Sequence, residues 1–192
     1  MQKRVVMISV VIIIAFVVSL YLFNLRDGVI NQEKNVDMLV VEPIYSIVIE
    51  DITYYDDIEG YLAQPEESGN YPGIVMIHEW WGLNDNIKQM ADNLAMQGYV
   101  VLAVDLYNGQ IATDSSKAGE LAGAVRNNPE EAIKNMRAAI LYLDETHKTN
   151  KIASLGWCFG GHQSLQISLN EDVDASVIYY GSLITDKEQL SA

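Results

Sequence analysis

From Ile47 onward the chain alternates short apolar runs with longer amphipathic stretches, a pattern of strands and helices in succession. Ile47 to Tyr55 and Ile58 to Gln64 are alternating or β-branched and are separated by Asp56-Asp57, which predicts an antiparallel hairpin at one edge of a sheet. Residues 65–72 follow as a loop. Ile74 to Ile77 is a continuous apolar run, as expected of a central strand covered on both faces. Asn84 or Asp85 can cap a helix whose apolar residues Ile87, Met90, Ala91, Leu94 and Ala95 keep helical spacing, with Gly98 as its stop. Tyr99 to Val104 is the next buried strand.

Asp114 or Ser115 opens a short helix through Val125. Asn128-Pro129-Glu130-Glu131 starts a longer one, with Asn128 as cap, Pro129 at the first helical position and Glu131 placed to complete a capping box. Ile133, Met136, Ile140, Leu141 and Leu143 form its expected apolar face. Lys151 to Leu155 is a further strand, Gly161 to Leu169 a helix, and Ala175 to Tyr180 a last strand. Such a succession predicts an α/β fold with a mostly parallel sheet and helices on both faces.

The amino-terminal part is of another kind. Residues 5 to 23, Val5 through Phe23, carry no charge, glycine or proline, and as a helix would span about 28 Å, close to the hydrocarbon thickness of a bilayer. Lys3 and Arg4 precede the run, while Arg26 and Asp27 offset each other after it, so the positive-inside rule keeps the amino terminus in the cytoplasm. The expected organisation is a cytoplasmic end at 1–4, a transmembrane anchor or signal peptide at 5–23, a polar linker at 24–44 and a domain at 45–192. The domain would be membrane-anchored and extracytoplasmic, or secreted after signal cleavage. The length of the run and the lack of an Ala-x-Ala pattern favour the anchor.

A chain of 192 residues has room for one such domain. Its net charge of −14 argues against nucleic acid, whose phosphates would be repelled. The chain has a single cysteine, so no internal disulfide accounts for it.

That cysteine stands in Gly156-Trp157-Cys158-Phe159-Gly160-Gly161, between a predicted strand and a predicted helix. A nucleophile held in a sharp strand-to-helix turn would collide with side chains two positions to either side, and glycine removes them. The turn would expose the sulfur at the carboxyl end of the sheet, facing helix N–H groups that favour thiolate. The competing reading is a small buried hydrophobe.

Gly156 to Gly161 resembles the nucleophile motif of the dienelactone hydrolase family, cysteine-dependent members of the α/β-hydrolase fold. A second block is similar to the family's strand and glutamate-bearing loop: Tyr71-Pro72-Gly73-Ile74-Val75-Met76-Ile77-His78-Glu79-Trp80-Trp81-Gly82-Leu83-Asn84. Val104-Asp105-Leu106-Tyr107 and Tyr179-Tyr180-Gly181 also resemble family strand ends. The resemblance implies a hydrolase of a small-molecule carboxylic ester or lactone, of the carboxymethylenebutenolide type, working through a Cys158 acyl-enzyme with no metal or organic cofactor. It implies catalytic roles for Cys158 and Glu79, the glutamate contacting the resting thiol and moving when substrate binds. In this fold one oxyanion donor is the backbone N–H after the nucleophile, here Phe159. The resemblance implies Trp80 as the other.

Other assignments stay open. Glu79 can equally be a strand-end carboxylate facing solvent. Trp80 and Trp81 suit either an acyl pocket or packing. His78 suits packing, and Asp105 either orders the site loop or caps a turn. His162 lies one turn along the elbow helix, where a histidine more often packs or caps, and His147 precedes the nucleophile strand. The family places its aspartate and histidine on two strands beyond the one that Ala175 to Tyr180 resembles. No residue here is assigned to either, so the expectation is an α/β-hydrolase domain lacking its last strands. The rival expectations are a non-catalytic remnant or binding module, or a second polypeptide that completes the domain.

Overall fold

A computed structural model describes residues 42–149 and 151–184. These residues hold one six-stranded sheet in the order β1-β2-β4-β3-β5-β6. The strands are β1 (Ile47–Tyr55), β2 (Ile58–Pro65), β3 (Gly73–Ile77), β4 (Val100–Val104), β5 (Ile152–Trp157) and β6 (Ala175–Tyr179). The helices are α1 (Asp85–Ala95), α2 (Ser115–Asn127), α3 (Pro129–His147) and α4 (Phe159–Asn170). The first two strands form the expected antiparallel hairpin at one edge. β4, β3, β5 and β6 run parallel, so their carboxyl ends share one side of the molecule.

Helices cover both faces of the sheet. Val75 and Ile77 of β3 pack with Leu102 of β4, with Met136, Ala139 and Leu143 of α3 and with Ile167 of α4. Their neighbours Ile74 and Met76 face the other way, against Ile87, Ala91 and Ala95 of α1. The period of two along a strand puts successive residues on opposite faces, and burial of both explains the unbroken apolar run. A third cluster lies beyond the strands' carboxyl ends. There Tyr107, Leu121, Ala122 and Phe159 are buried, with Trp80 and Trp81 packed against them.

Helix starts follow the expected chemistry at two places. The Asn84 side chain accepts from Ile87 N–H at the start of α1, and the Asp114 side chain from Lys117 N–H at the start of α2. At α3 Pro129 sits in the first turn as expected, but Asn128 makes no side-chain capping bond. The capping box does not form. Glu131 is taken by Tyr55, whose hydroxyl donates to it at 2.5 Å, and that bond holds the Glu131 carboxyl below the usual range. Leu141 is also off the expected face, being 49% exposed. It lies five residues after Met136, about 140° around the helix, and so turns away from the sheet. Ala132, Asn135 and Ala139 complete the buried face instead.

The expectation of a transmembrane helix ahead of this fold is corrected. No helix among the described residues is long and apolar enough to cross a membrane. α3 is the longest at 19 residues, and it carries Glu130, Glu131, Lys134, Arg137, Asp144 and Glu145. An apolar run such as 5–23 states composition, whereas an anchor requires a continuous apolar helix of that length. That run and nearly all of the expected linker lie outside the described residues. The membrane-anchored or secreted placement, and the membrane as a partner, rested on the helix and are withdrawn with it.

Candidate active site

β5 runs two residues further than its apolar core suggests, to Trp157, and α4 begins at Phe159, leaving Cys158 alone between them. Its backbone sits at φ 52 and ψ −111, a conformation that L residues rarely adopt. The flanking glycines show why the turn is this tight. A Cβ on Gly156 would stand 2.2 Å from the Gly160 carbonyl oxygen, and one on Gly160 would stand 2.4 Å from that of Ile77. Cys158 is exposed, which excludes the buried-hydrophobe reading of its packing. Its N–H donates to the Tyr179 carbonyl at 2.9 Å, pinning the turn to β6.

The first bond within α4 runs from His162 N–H to the Cys158 carbonyl at 3.2 Å. The N–H groups of Phe159, Gly160 and Gly161 therefore belong to the open first turn, where a helix has donors without intrahelical partners. These donors lie directly after the cysteine.

Register places two more residues beside it. Ile77 of β3 is opposite Gly156 of β5, so Glu79 follows β3 as Cys158 follows β5. Trp157 is opposite Tyr179 of β6, so Tyr180 comes next on the other side. Glu79, Cys158 and Tyr180 thus stand abreast at the ends of three neighbouring strands, with the cysteine in the middle. The Tyr180 hydroxyl donates to Glu79 Oε1 at 2.9 Å, joining the outer two. Among the described residues no hydrogen bond joins Glu79 to the thiol. Tyr180 has a raised pKa, through desolvation first, then its bond to Glu79 and the nearby charges of Glu79 and Cys158.

The backbone on the β3 side is fixed from below. His78 is fully buried, with Nδ1 2.5 Å from the Glu79 carbonyl oxygen and Nε2 3.2 Å from the Leu106 nitrogen. Nδ1 donates to that carbonyl and Nε2 accepts the Leu106 N–H, which defines a neutral ring. Burial lowers the His78 pKa, and the smaller effects of its bond to Glu79 and of Asp105 oppose it. Asp105 accepts from the N–H groups of Tyr107, at 2.8 Å, and of Gly109, so it caps the turn after β4. The Tyr107 hydroxyl then donates to the Trp80 carbonyl at 3.2 Å. Trp80 and Trp81 meet edge to face at 5.1 Å and pack on the cluster that contains Phe159.

The three histidines of the chain all lie elsewhere in hydrogen-bonding terms. His162 Nδ1 is 2.9 Å from the Ser182 carbonyl oxygen and its Nε2 3.4 Å from the Gln166 amide, so it ties α4 to the loop after β6. His147 ends α3, before β5, and its ring lies tilted against that of Tyr142, with centroids 5.6 Å apart. Among the described residues no histidine is hydrogen-bonded to Cys158. A cavity of about 300 Å³ opens beside Asp51, Asp57, Glu59, Lys88 and Gln110, and Cys158 does not line it. No group of three or more His, Cys, Asp or Glu side chains placed to hold a metal occurs among the described residues.

Two supports went unread in the sequence. Asn135 of α3 donates to the Asp105 carbonyl at 3.0 Å and accepts from Tyr54 at 2.5 Å, buttressing the β4 end from beneath. Ser154, Ser164 and Ser176 bond one another at 2.9 to 3.0 Å where β5, α4 and β6 meet. The polar Asn135 on an otherwise apolar helix face was the one signal available.

The chain is similar to several known proteins. Protein usf of Aquifex pyrophilus is 35% identical over 132 residues, covering 65% of this chain and 56% of that protein. A protein of Aquifex aeolicus that bears the carboxymethylenebutenolidase name is 34% identical over 132 residues, with the same coverage of 65% and 56%. Among solved structures, m3DLH superposes with a TM-score of 0.68 at 27% identity, covering 74% of this chain and 63% of its own. A dienelactone hydrolase-like promiscuous phosphotriesterase from metagenomic libraries gives 0.67 at 25% identity, with coverage of 74% and 63%. The chain spans little more than half the length of these curated relatives. The model of the dienelactone hydrolase family matches residues 58–192, and the chain belongs to that family.

Proposed function

We propose that the chain is a hydrolase acting on a small-molecule carboxylic ester or lactone through a Cys158 acyl-enzyme. The observation that carries this reading is the exposed Cys158 at φ 52 in a glycine-flanked turn, facing the open first turn of α4. The thiolate sulfur attacks the acyl carbon, the carbonyl electron pair moves onto oxygen, and the N–H groups of Phe159 and Trp80 receive that oxyanion. Collapse expels the alkoxide, which takes up the proton the thiol gave up and leaves as the alcohol, with a thioester on Cys158. Water then attacks the thioester, releasing the acid and returning the thiol. Glu79 is the carboxylate that governs whether the thiol keeps its proton. The carboxymethylenebutenolidase name of the Aquifex aeolicus relative supports a lactone among the substrates.

One observation favours a second reading. None of the three histidines is hydrogen-bonded to Cys158, so the residues described supply attack on an acyl group more evidently than a base for its release. Under that reading the chain is a binding module or acyl acceptor without turnover.

Mixing the full chain with p-nitrophenyl acetate separates them. A hydrolase gives a burst equal to the Cys158 content followed by steady release, and Cys158→Ala abolishes both while the fold is retained. A burst with no steady phase selects the second reading, and steady release by Cys158→Ala overturns the cysteine mechanism.

A further inference from the structure

We propose that His78 is a positioning residue for acyl transfer: its buried ring clamps the peptide joining Glu79 to Trp80, so that the Trp80 N–H is fixed and polarised as an oxyanion donor beside that of Phe159. The inference rests on the reading that Cys158 is acylated and that these two N–H groups receive the oxyanion. The Glu79 carbonyl and the Trp80 N–H are opposite ends of one planar trans peptide, so whatever holds the carbonyl also sets the direction of the N–H. That carbonyl is held twice, by His78 Nδ1 at 2.5 Å and by the Gly82 N–H at 3.3 Å. Among the described residues the Trp80 N–H itself has no hydrogen-bond partner.

The ring that makes this bond is itself immobilised. Nε2 accepts the Leu106 N–H at 3.2 Å, which leaves the proton on Nδ1, the nitrogen facing Glu79. The imidazole is fully buried, stacks on Phe159 at 5.7 Å and meets Tyr107 edge to face at 4.6 Å. The two donor segments also touch through their backbones, since a Cβ on Gly160 would stand 2.4 Å from the Ile77 carbonyl oxygen and 2.5 Å from that of His78. One side chain thus bonds the peptide that carries one donor and packs on the residue that carries the other. A hydrogen bond at an amide carbonyl polarises the amide and strengthens its N–H as a donor. An N–H fixed before charge develops also spares the reaction a reorganisation.

Two reactions of the same thiol separate this role from support of the fold. p-Nitrophenyl acetate passes through a tetrahedral oxyanion, leaves an acetyl thioester on Cys158 and releases p-nitrophenolate. Iodoacetamide alkylates the sulfur with loss of iodide and forms no oxyanion. The single cysteine makes both labels unambiguous, with Cys158→Ala as the blank. His78→Asn offers an amide N–H where Nδ1 stood, whereas His78→Gln offers its amide where Nε2 stood and gives up the donor to Glu79. In His78→Gln the acylation burst is expected to slow about tenfold at an unchanged alkylation rate, short of the roughly hundredfold cost of losing a whole oxyanion donor. In His78→Asn the ratio of acylation to alkylation is expected to return towards that of the wild type. Both rates are read on chains whose circular dichroism matches the wild type. Where His78→Gln does not fold, His78→Asn decides, and a ratio there as low as that expected of His78→Gln overturns the role. Equal slowing of both reactions in His78→Gln, or unchanged acylation, overturns it as well. A wild-type chain that is alkylated but gives no burst overturns the acyl-enzyme reading itself, and with it the role that rests on it.

Discussion

On the β3 and β4 side of Cys158, the site is built on buried groups with assigned partners: His78 bridges Glu79 and Leu106, Asp105 caps Tyr107 and Gly109, and Asn135 supports Asp105. On the β6 side, Tyr180 and Leu183 are 69% and 66% exposed, and β6 itself has no residue that is fully buried. The contrast bears on the proposed acyl transfer. Oxyanion donors must be fixed before charge develops, since reorganising them during reaction raises the barrier. The firm side carries the backbone of Trp80, and the open side carries Tyr180, whose hydroxyl donates to Glu79.

The sharpest way to break the firm side is at Gly160. A Cβ there would meet the Ile77 and His78 carbonyl oxygens at 2.4 and 2.5 Å, backbone atoms that cannot swing aside. Gly160→Ala is expected to lose about 3 kcal/mol or more in urea unfolding, at the upper end of overpacking effects. Asp105→Ala comes next. It strips the acceptors from the Tyr107 and Gly109 N–H groups in a buried turn, which costs about 2–3 kcal/mol. The same variant should reduce acylation of Cys158, because Tyr107 no longer holds the Trp80 carbonyl in place. Full acylation rates in a destabilised Asp105→Ala would separate stability from preorganisation and remove Trp80 from the scheme.

How far the sequence foretold this contrast depends on the range of each interaction. The elbow was legible because its cause is local: Gly156, Cys158 and Gly160 lie within five positions and clash through the backbone of a single turn. The strands of the parallel sheet were legible from apolar runs such as Ile74 to Ile77, buried on both faces. The capping box was misread because Tyr55, 76 residues away, takes the Glu131 carboxylate. Leu141 was misread because hydrophobicity was weighed without its angle around α3. Tyr180 had no readable role at all, since its partner lies 101 positions earlier and only strand order brings the two together. The apolar run at 5–23 lies outside the described residues, and none of the helices described is long and apolar enough to cross a membrane.

Acid should find the firm side first. Burial lowers the His78 pKa, so the unfolded chain takes up a proton in a range where the folded chain stays neutral. The resulting stability is fully present above the unfolded value of about 6.5 and is lost as pH falls through the lower folded value. His147 is lowered by burial in the same direction and adds to the slope. The thermal midpoint of the wild type is therefore expected to drop between pH 7 and 5. His78→Gln, less stable throughout, should fall less over that interval, and an equal fall in both would remove His78 as a source of the acid sensitivity.

The smallest effect is expected on the open side. Tyr180→Phe removes one hydrogen bond between exposed groups, and both partners are free to bond water instead, so the change in unfolding free energy should stay within about 0.5 kcal/mol. Leu183→Ser, at an equally exposed position, should be as mild. The urea midpoint of Tyr180→Phe beside that of the wild type is the measurement that checks this. A loss of 2 kcal/mol or more in Tyr180→Phe, on the order of a buried polar network, would instead make the β6 side as firm as the β3 side. The division of the site into a firm half and an open half would then not hold.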